Sequence, residues 1–160
     1  MGRLRLHDPV SERDLEDYFW KYPKSIEPSY RRLGRQVYTG HGLLDLLFWD
    51  RCGEYVLAVE IKNRQLYDRD VAQICRYVGD LKRIVETPGI PNDPPIRVVG
   101  MLIARDADDD IRASCWGAGV WVYIWRLEPS GALVVCPAWE PWRAPISTLS
   151  WLHRLPEARA

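Results

Sequence analysis

The stretch "YVLAVEIKNRQ", residues 55–65, decides the fold, because it begins as a buried β-strand and ends in charged residues. An apolar run without a break precedes Glu60 and Lys62. Side chains alternate across a strand, so Glu60 and Lys62 point to the same face. An unpaired charge is costly in such a place, and strand interiors normally exclude it. The stretch therefore predicts a central strand that ends in a carboxylate and an ammonium group.

Asp45 is a second charge in an apolar strand, because it interrupts "LLDLLFWD", residues 43–50. An isolated E-x-K motif is most often a surface salt bridge at a strand end, and Asp45 argues against that explanation. If the two strands are neighbours, Asp45, Glu60 and Lys62 converge at one sheet edge. Two carboxylates there can bind a divalent cation such as Mg²⁺, which makes water a better nucleophile. The lysine can orient that water or neutralise developing negative charge, so the set has the parts needed to hydrolyse a phosphodiester.

Periodicity and turn residues predict an α/β protein with a mixed central β-sheet flanked by helices on both faces. The first helix has Ser11 as its N-cap and closes at Pro23, and a connector runs to Gly34. The predicted order is α-β-β-β-α-β-α-β-β, with strands over 35–39, 43–50, 55–62, 96–104, 120–127 and 132–139 and later helices over 68–86 and 106–119. The long helix is a crossover, so the third and fourth strands are predicted to be parallel.

The two later helices carry more detailed predictions. Gly117 is predicted to stop the shorter one. The apolar stripe of the longer helix is predicted to face the core and to comprise Val71, Ile74, Cys75, Val78, Leu81 and Val85.

Length and composition predict a single-domain protein and restrict its compartment and its partners. The 160 residues predict one domain over 1–160, with a core over about 11–138 and a Pro- and Trp-containing tail over 139–160. Four scattered cysteines without a C-x-x-C pair indicate reduced, structural thiols. No apolar run approaches a membrane span and no signal-peptide pattern opens the chain, so we expect a cytoplasmic protein with no membrane partner. The 22 basic and 22 acidic residues balance, which disfavours a strongly basic nucleic-acid binder but allows a local basic patch.

Three segments together resemble a known family. "GLLDLLFWD…GEYVLAVEIK" is similar to the D…(D/E)-x-K signature of the PD-(D/E)XK nuclease superfamily. "SERDLEDYFWKYPKSIEPSYRRLGRQVYTGHGLLDLL" and "DVAQICRYVGDLK" resemble the first helix, the connector and the Q-x-x-R-Y helix of NucS/EndoMS-type DNA endonucleases. The likeness is clear over about residues 11–83 and covers that family's catalytic domain, with its restriction-endonuclease-like α-β-β-β-α-β core. Only ten residues precede Ser11, so we expect a stand-alone nuclease domain without the family's N-terminal domain.

The resemblance implies a role for particular residues. It makes Asp45 and Glu60 ligands of Mg²⁺ (or Mn²⁺), adds the backbone carbonyl of Ile61 as a further ligand, and makes Lys62 the catalytic lysine. Gln73 and Tyr77 match its helix positions, and on the residues alone they are i, i+4 neighbours that lie off the apolar stripe. Glu12 matches an acidic position that can join the site, although an acid in a first helical turn has an ordinary electrostatic role.

The expected function is that of an Mg²⁺-dependent DNA endonuclease. Cation candidates for the DNA backbone are Arg31, Arg32, Arg35, Arg64 and Arg76. A catalytically silent nuclease-fold module that binds DNA or protein within a repair, defence or mobile-element complex is the alternative. Trp residues in "VWVYIW" are predicted to lie in the core or at a subunit interface, so a homodimer, or a partner protein that supplies DNA specificity, is a further expectation.

Overall fold

One six-stranded sheet organises the molecule, with the strands in sequential order from first to last. The computed structural model describes residues 6, 8–52, 55–85 and 96–138, so the predicted tail over 139–160 lies outside the described residues. The strands are β1 Tyr30–Tyr38, β2 Leu43–Asp50, β3 Tyr55–Ile61, β4 Arg97–Ala104, β5 Val120–Leu127 and β6 Leu133–Pro137. The helices are α1 Glu12–Lys21, a 3₁₀ turn Pro23–Ser25, α2 Asp68–Val85 and α3 Asp109–Ala118. The predicted α/β fold with a mixed sheet is confirmed.

Strand directions follow the lengths of the connections. The short turns after β1, β2 and β5 give antiparallel pairs, whereas the crossovers through α2 and α3 give the parallel pairs β3–β4 and β4–β5. Every residue of β3 is buried, because strands pair with it on both sides and helices cover both faces. The predicted parallel pairing of the third and fourth strands is confirmed.

Two apolar cores hold the sheet between its helices. Phe19 of α1 packs with Phe48, Leu57 and Met101 on one face. Ile74 of α2 and Ile111 of α3 pack with Ala58 and Leu102 on the other. The predicted placement of helices on both faces is confirmed. Among the described residues, no helix combines the length and the apolar character needed to cross a membrane.

The N-terminal cap of α1 is as predicted, whereas the C-terminal end of α3 is not. Ser11 and Asp14 form a reciprocal capping box at the start of α1. Gly117 lies inside α3, and the helix ends at Gly119, whose φ of 68° is the left-handed conformation that favours glycine. The prediction of Gly117 as the stop is therefore wrong.

The start of β1 also differs from the prediction. The strand begins at Tyr30, inside the stretch predicted as a connector. Its register against β2 shifts between Arg32 and Gly34, so Leu33 is an extra residue. A Cβ on Gly34 would lie 2.6 Å from Val37 Cγ2, so glycine is needed for this close approach. Gly34 is thus a bulge residue within a strand.

The buried face of α2 is rotated relative to the predicted stripe. Cys75 is exposed, whereas Asp70, Tyr77 and Asp80 are buried. The carboxylates can be buried because each has a cationic or polar partner: Arg64 donates to Asp70, and His41 Nδ1 lies 2.6 Å from Asp80 Oδ2. The predictions that Cys75 packs in the core and that Tyr77 lies off it are wrong.

Candidate active site

The charged residues of β2 and β3 meet at one edge of the sheet. Pairing of the two strands is regular up to Leu46 and Val59, and Asp45 and Glu60 are the next residues of the two strands beyond that last pair. Asp45 Oδ2 accepts a hydrogen bond from the Ile61 backbone N–H at 2.8 Å, so the carboxylate is tied to the neighbouring strand. Glu60 Oε1 accepts one from Lys62 Nζ at 2.9 Å. The structure thus brings Asp45, Glu60 and Lys62 together, as the alternation of strand residues predicted.

Glu60 is the electrostatic centre of this edge. It is buried, and its second oxygen, Oε2, is buried and has no hydrogen-bond partner among the described residues. Burial raises the pKa of Glu60 to about 7, and the negative field of Asp45 adds to this effect. Burial likewise raises the pKa of Asp45 to about 6, although the bond from Ile61 opposes the shift. The two carboxylates therefore lack enough positive charge around them.

Lys62 supplies part of that charge. Burial disfavours its ammonium form, but the hydrogen bond and field of Glu60, with Glu12 and Asp45, outweigh this, and the pKa of Lys62 lies above its usual value. Its backbone is anchored as well, because Trp125 Nε1–H donates to the Lys62 carbonyl at 3.0 Å. The lysine is therefore a positively charged group held at a fixed place beside Glu60.

Helix α1 adds two acids to the site. Glu12 Oε1 accepts the Asn63 backbone N–H at 3.3 Å, which places the predicted Glu12 beside the segment after Lys62. Glu16, one turn later, is buried and raises the pKa of Asp45 through its charge. Gln36 Nε2 bridges Glu16 and Asp45, because it donates to Glu16 Oε2 at 3.0 Å and to Asp45 Oδ1 at 3.3 Å.

Three of these residues, Glu16, Gln36 and Trp125, were not predicted from the sequence. The backbone of Gln36 has a φ of 50°, in the left-handed region. Residues other than glycine and asparagine rarely adopt this conformation, and such residues cluster at functional sites. Glu16 carried a signal, since its spacing from Glu12 puts both acids on one helix face. Gln36 and Trp125 carried none, because their contacts join residues far apart in sequence.

The predicted helix pair of α2 lies next to the turn before β2. Gln73 Nε2 donates to Tyr77 Oη at 2.9 Å. A Cβ on Gly42 would lie 2.7 Å from Tyr77 Oη, so this hydroxyl packs directly on the turn that leads to Asp45. Among the hydrogen bonds of the described ranges, none joins Gln73 or Tyr77 to Asp45, Glu60 or Lys62. Their catalytic role stays a prediction.

The predicted arginines occupy different environments. Arg35 pairs with Glu16 and with Asp17, and Arg64 donates two bonds to Asp70 at 2.8 and 2.9 Å. Arg31 donates to the backbone carbonyls of Pro28 and Tyr30. The Arg32 guanidinium lies 5.6 Å from the centre of the Trp20 ring, and Arg76 is exposed on α2. A role in DNA contact stays a prediction for all five.

The donor set suits a hard cation held by few protein ligands. Within the described part of the chain, no group of three or more His, Cys, Asp or Glu side chains could hold a metal ion. Mg²⁺ is commonly held by one or two carboxylates together with waters, and the unpartnered Oε2 of Glu60 beside Asp45 fits that pattern.

The α-β-β-β-α-β core with Asp, Glu and Lys at one sheet edge defines the PD-(D/E)XK class of nucleases. A family model described as the endonuclease NucS C-terminal domain matches residues 11–112. The chain therefore belongs to the family of NucS C-terminal domains.

Curated relatives agree with this family. The chain is 33% identical over 72 residues to endonuclease NucS of Pyrococcus furiosus, covering 45% of this chain and 27% of that protein. It is 32% identical over 68 residues to endonuclease NucS of Methanopyrus kandleri, covering 42% of this chain and 26% of that one. The match thus spans about a quarter of the length of these relatives.

Two solved structures share the fold. A complex of EndoMS with double-stranded DNA superimposes with a TM-score of 0.60 at 22% identity, covering 76% of this chain and 47% of that one. A repair endonuclease from Pyrococcus abyssi gives a TM-score of 0.58 at 23% identity, covering 73% and 47%. These likenesses show the fold.

Proposed function

We propose that this protein is an Mg²⁺- or Mn²⁺-dependent DNA endonuclease whose catalytic centre is Asp45, Glu60 and Lys62. The observation that carries the proposal is the buried Glu60 carboxylate, with its raised pKa and unpartnered oxygen, beside a second carboxylate and a fixed ammonium. Perturbed carboxylates of this kind are typical of functional sites. Membership of the NucS C-terminal domain family and the DNA complex of a protein with the same fold support DNA as the substrate.

Each side chain has a defined task in this proposal. Asp45 and Glu60 hold the cation, and the Ile61 carbonyl is proposed as a further ligand. A bound divalent cation lowers the pKa of water and stabilises charge on a phosphoryl oxygen. Lys62 orients the attacking water or stabilises negative charge on the phosphate, because its ammonium group is fixed beside Glu60. Glu12, Gln73 and Tyr77 support the site from the two helices.

The decisive experiment is cleavage of single-stranded, duplex, flapped and mismatched DNA with Mg²⁺ or Mn²⁺. Wild type is compared with Asp45→Ala and Lys62→Ala, and with the exposed-site controls Asp110→Ala and Lys82→Ala. We expect each site variant to lose about 10²-fold or more in turnover, while the controls keep activity. Thermal unfolding verifies that all variants are folded.

Two outcomes separate the alternatives. Equal cleavage by wild type and both site variants would contradict the mechanism. No cleavage by any of them would favour the silent nuclease-fold module that binds DNA or protein. The cytoplasmic location, the single-domain boundary over 1–160 and a homodimer or partner protein remain proposals that stand beside the catalytic one.

A further inference from the structure

A cavity of about 380 Å³ opens at the other end of β1 from the catalytic residues. The end of α1, the 3₁₀ turn and the first residues of β1 line it. Tyr30, in its wall, pairs with Asp50 of β2, whereas Asp45 lies five residues earlier on that strand. Strand geometry therefore separates the cavity from Asp45 by about 17 Å. The cavity is therefore distinct from the catalytic centre.

The walls are strongly basic. Four cations line the cavity: Lys21, Lys24, Arg31 and Arg32. Among the ion pairs of the described residues, none involves any of these four, in contrast to Arg35 and Arg64. In a chain of zero net charge, four cations that share one cavity and have no carboxylate partner among the described residues create a positive potential that favours an anion.

Two of these cations are held in place by other contacts. Arg31 Nη1 donates to the Pro28 carbonyl at 3.2 Å and to the Tyr30 carbonyl at 2.9 Å. The Arg32 guanidinium lies over the Trp20 ring. The guanidinium groups are therefore pre-positioned, which lowers the entropic cost of binding an anion.

Tyrosine rings complete the wall. Tyr18 and Tyr22 lie with ring centres 5.2 Å apart and tilted by 56°. Tyr22 is half-buried, and Lys21 Nζ lies 5.4 Å from its ring centre. Aromatic rings beside a basic groove are the usual means of binding single-stranded nucleic acid, because each base stacks on a ring while cations follow the phosphates. A second hollow, of about 590 Å³, continues from Arg31 to Arg51.

We propose that this cavity, here named the Tyr22 cleft, binds an unpaired nucleotide of the nucleic-acid strand. Lys24, Arg31 and Arg32 contact the phosphates on both sides of it, and Tyr22 stacks on its base. An acidic peptide would use the cations but has no need of the rings, so the tyrosines favour a nucleotide. The inference rests on the proposed function, because it takes nucleic acid as the ligand, and it adds a binding subsite away from the cleavage centre.

The test measures binding of a fluorescein-labelled oligothymidylate by fluorescence anisotropy, in EDTA, over a series of salt concentrations. Lys24→Gln/Arg32→Gln is compared with wild type and with the charge-matched control Lys82→Gln/Arg126→Gln, both of whose residues are exposed elsewhere. Loss of two phosphate contacts reduces the slope of log Kobs against log salt by about 1.4, since each single-strand contact contributes about 0.7. The control pair is expected to keep the wild-type slope.

A second pair of variants tests the aromatic part. Tyr22→Leu is expected to weaken oligothymidylate binding about tenfold, whereas Tyr22→Phe keeps the ring and the affinity. Equal slopes for the cleft and control variants, or equal affinities for Tyr22→Leu and Tyr22→Phe, would overturn the proposal. Competition by polyglutamate as effective as competition by unlabelled oligothymidylate would also overturn it, in favour of an acidic protein partner.

Cleavage assays run beside the binding assays separate the two proposals. If wild type cleaves DNA but the cleft variants bind like the control, the Tyr22 cleft proposal fails and the endonuclease proposal stands. If wild type cleaves no DNA, while the cleft variants show a smaller salt slope and a lower affinity for oligothymidylate, the endonuclease proposal fails and the Tyr22 cleft proposal stands.

Discussion

Glu60 and Asp70 are buried to the same extent, at 3% and 2% exposure, but their surroundings are opposite. Asp70 accepts two hydrogen bonds from Arg64 and one from the Tyr67 backbone N–H at 2.9 Å. Although burial disfavours its charge, these donors hold the pKa of Asp70 below its usual value. Within the described part of the chain, Glu60 accepts one hydrogen bond, from Lys62, and its other oxygen has no partner, and its pKa rises to about 7.

The difference in hydrogen-bond partners distinguishes a buried carboxylate with a structural role from one with a functional role. A buried carboxylate normally has its hydrogen bonds satisfied, as Asp70 does, and it then fixes a helix start to the preceding loop. Glu60 has too little positive charge around it and lies next to Asp45, and a divalent cation would supply the missing charge. We therefore interpret Asp70 as structural and Glu60 as functional.

The largest expected effect on stability is at Asp70. Asp70→Ala removes three hydrogen bonds to an ionised carboxylate and leaves the Tyr67 N–H without its acceptor. Because Arg64 is one-third exposed and can be rehydrated, we expect a loss of about 2 kcal/mol in the free energy of unfolding. Urea unfolding at pH 7 measures it, with the exposed Asp68→Ala as control. A loss no greater than that of Asp68→Ala would show that Asp70 is not a structural anchor.

Substitution of Asp45 is expected to increase the stability of the protein, in contrast to substitution of Asp70. The folded pKa of Asp45 is raised to about 6, so wild type loses stability as the pH rises from about 4 to about 7, where this half-buried group must ionise. Asp45→Asn removes this penalty and retains an oxygen for the Ile61 N–H. We expect the variant to be more stable by about 2 kcal/mol at pH 8 without metal, and nearly equal to wild type at pH 4. A variant less stable than wild type at pH 8 would be inconsistent with a strained, functional carboxylate.

A smaller effect is expected where the catalytic lysine is anchored. Trp125→Phe removes the indole N–H that donates to the Lys62 carbonyl but keeps an aromatic ring in the core. We expect a loss of about 1 kcal/mol in stability and a several-fold decrease in DNA-cleavage turnover, because Lys62 is less well positioned. Trp116→Phe, at an exposed position, is the control. Unchanged turnover would mean that this bond does not position Lys62.

The parts of the fold and site that sequence predicted are those set by local pattern. Strand alternation and chain order brought Asp45, Glu60 and Lys62 together, and the capping box fixed the start of α1. The orientation of α2 was not predictable in this way, because Asp70 and Asp80 are buried through Arg64 and His41, which lie outside the helix. Polar residues count as surface in a periodicity argument, so the rotation that buries Tyr77 was missed.

The measurement that tests the central claim most directly is Mn²⁺ binding at pH 8, followed by the electron paramagnetic resonance signal of the free ion. We predict that wild type binds Mn²⁺, that Asp45→Asn weakens binding about tenfold or more, and that the exposed-site control Asp110→Asn does not. Lowering the pH through about 7 to 6 should weaken wild-type binding, because Glu60 and Asp45 take up protons. Equal Mn²⁺ binding by wild type and Asp45→Asn would contradict a cation site at these two carboxylates.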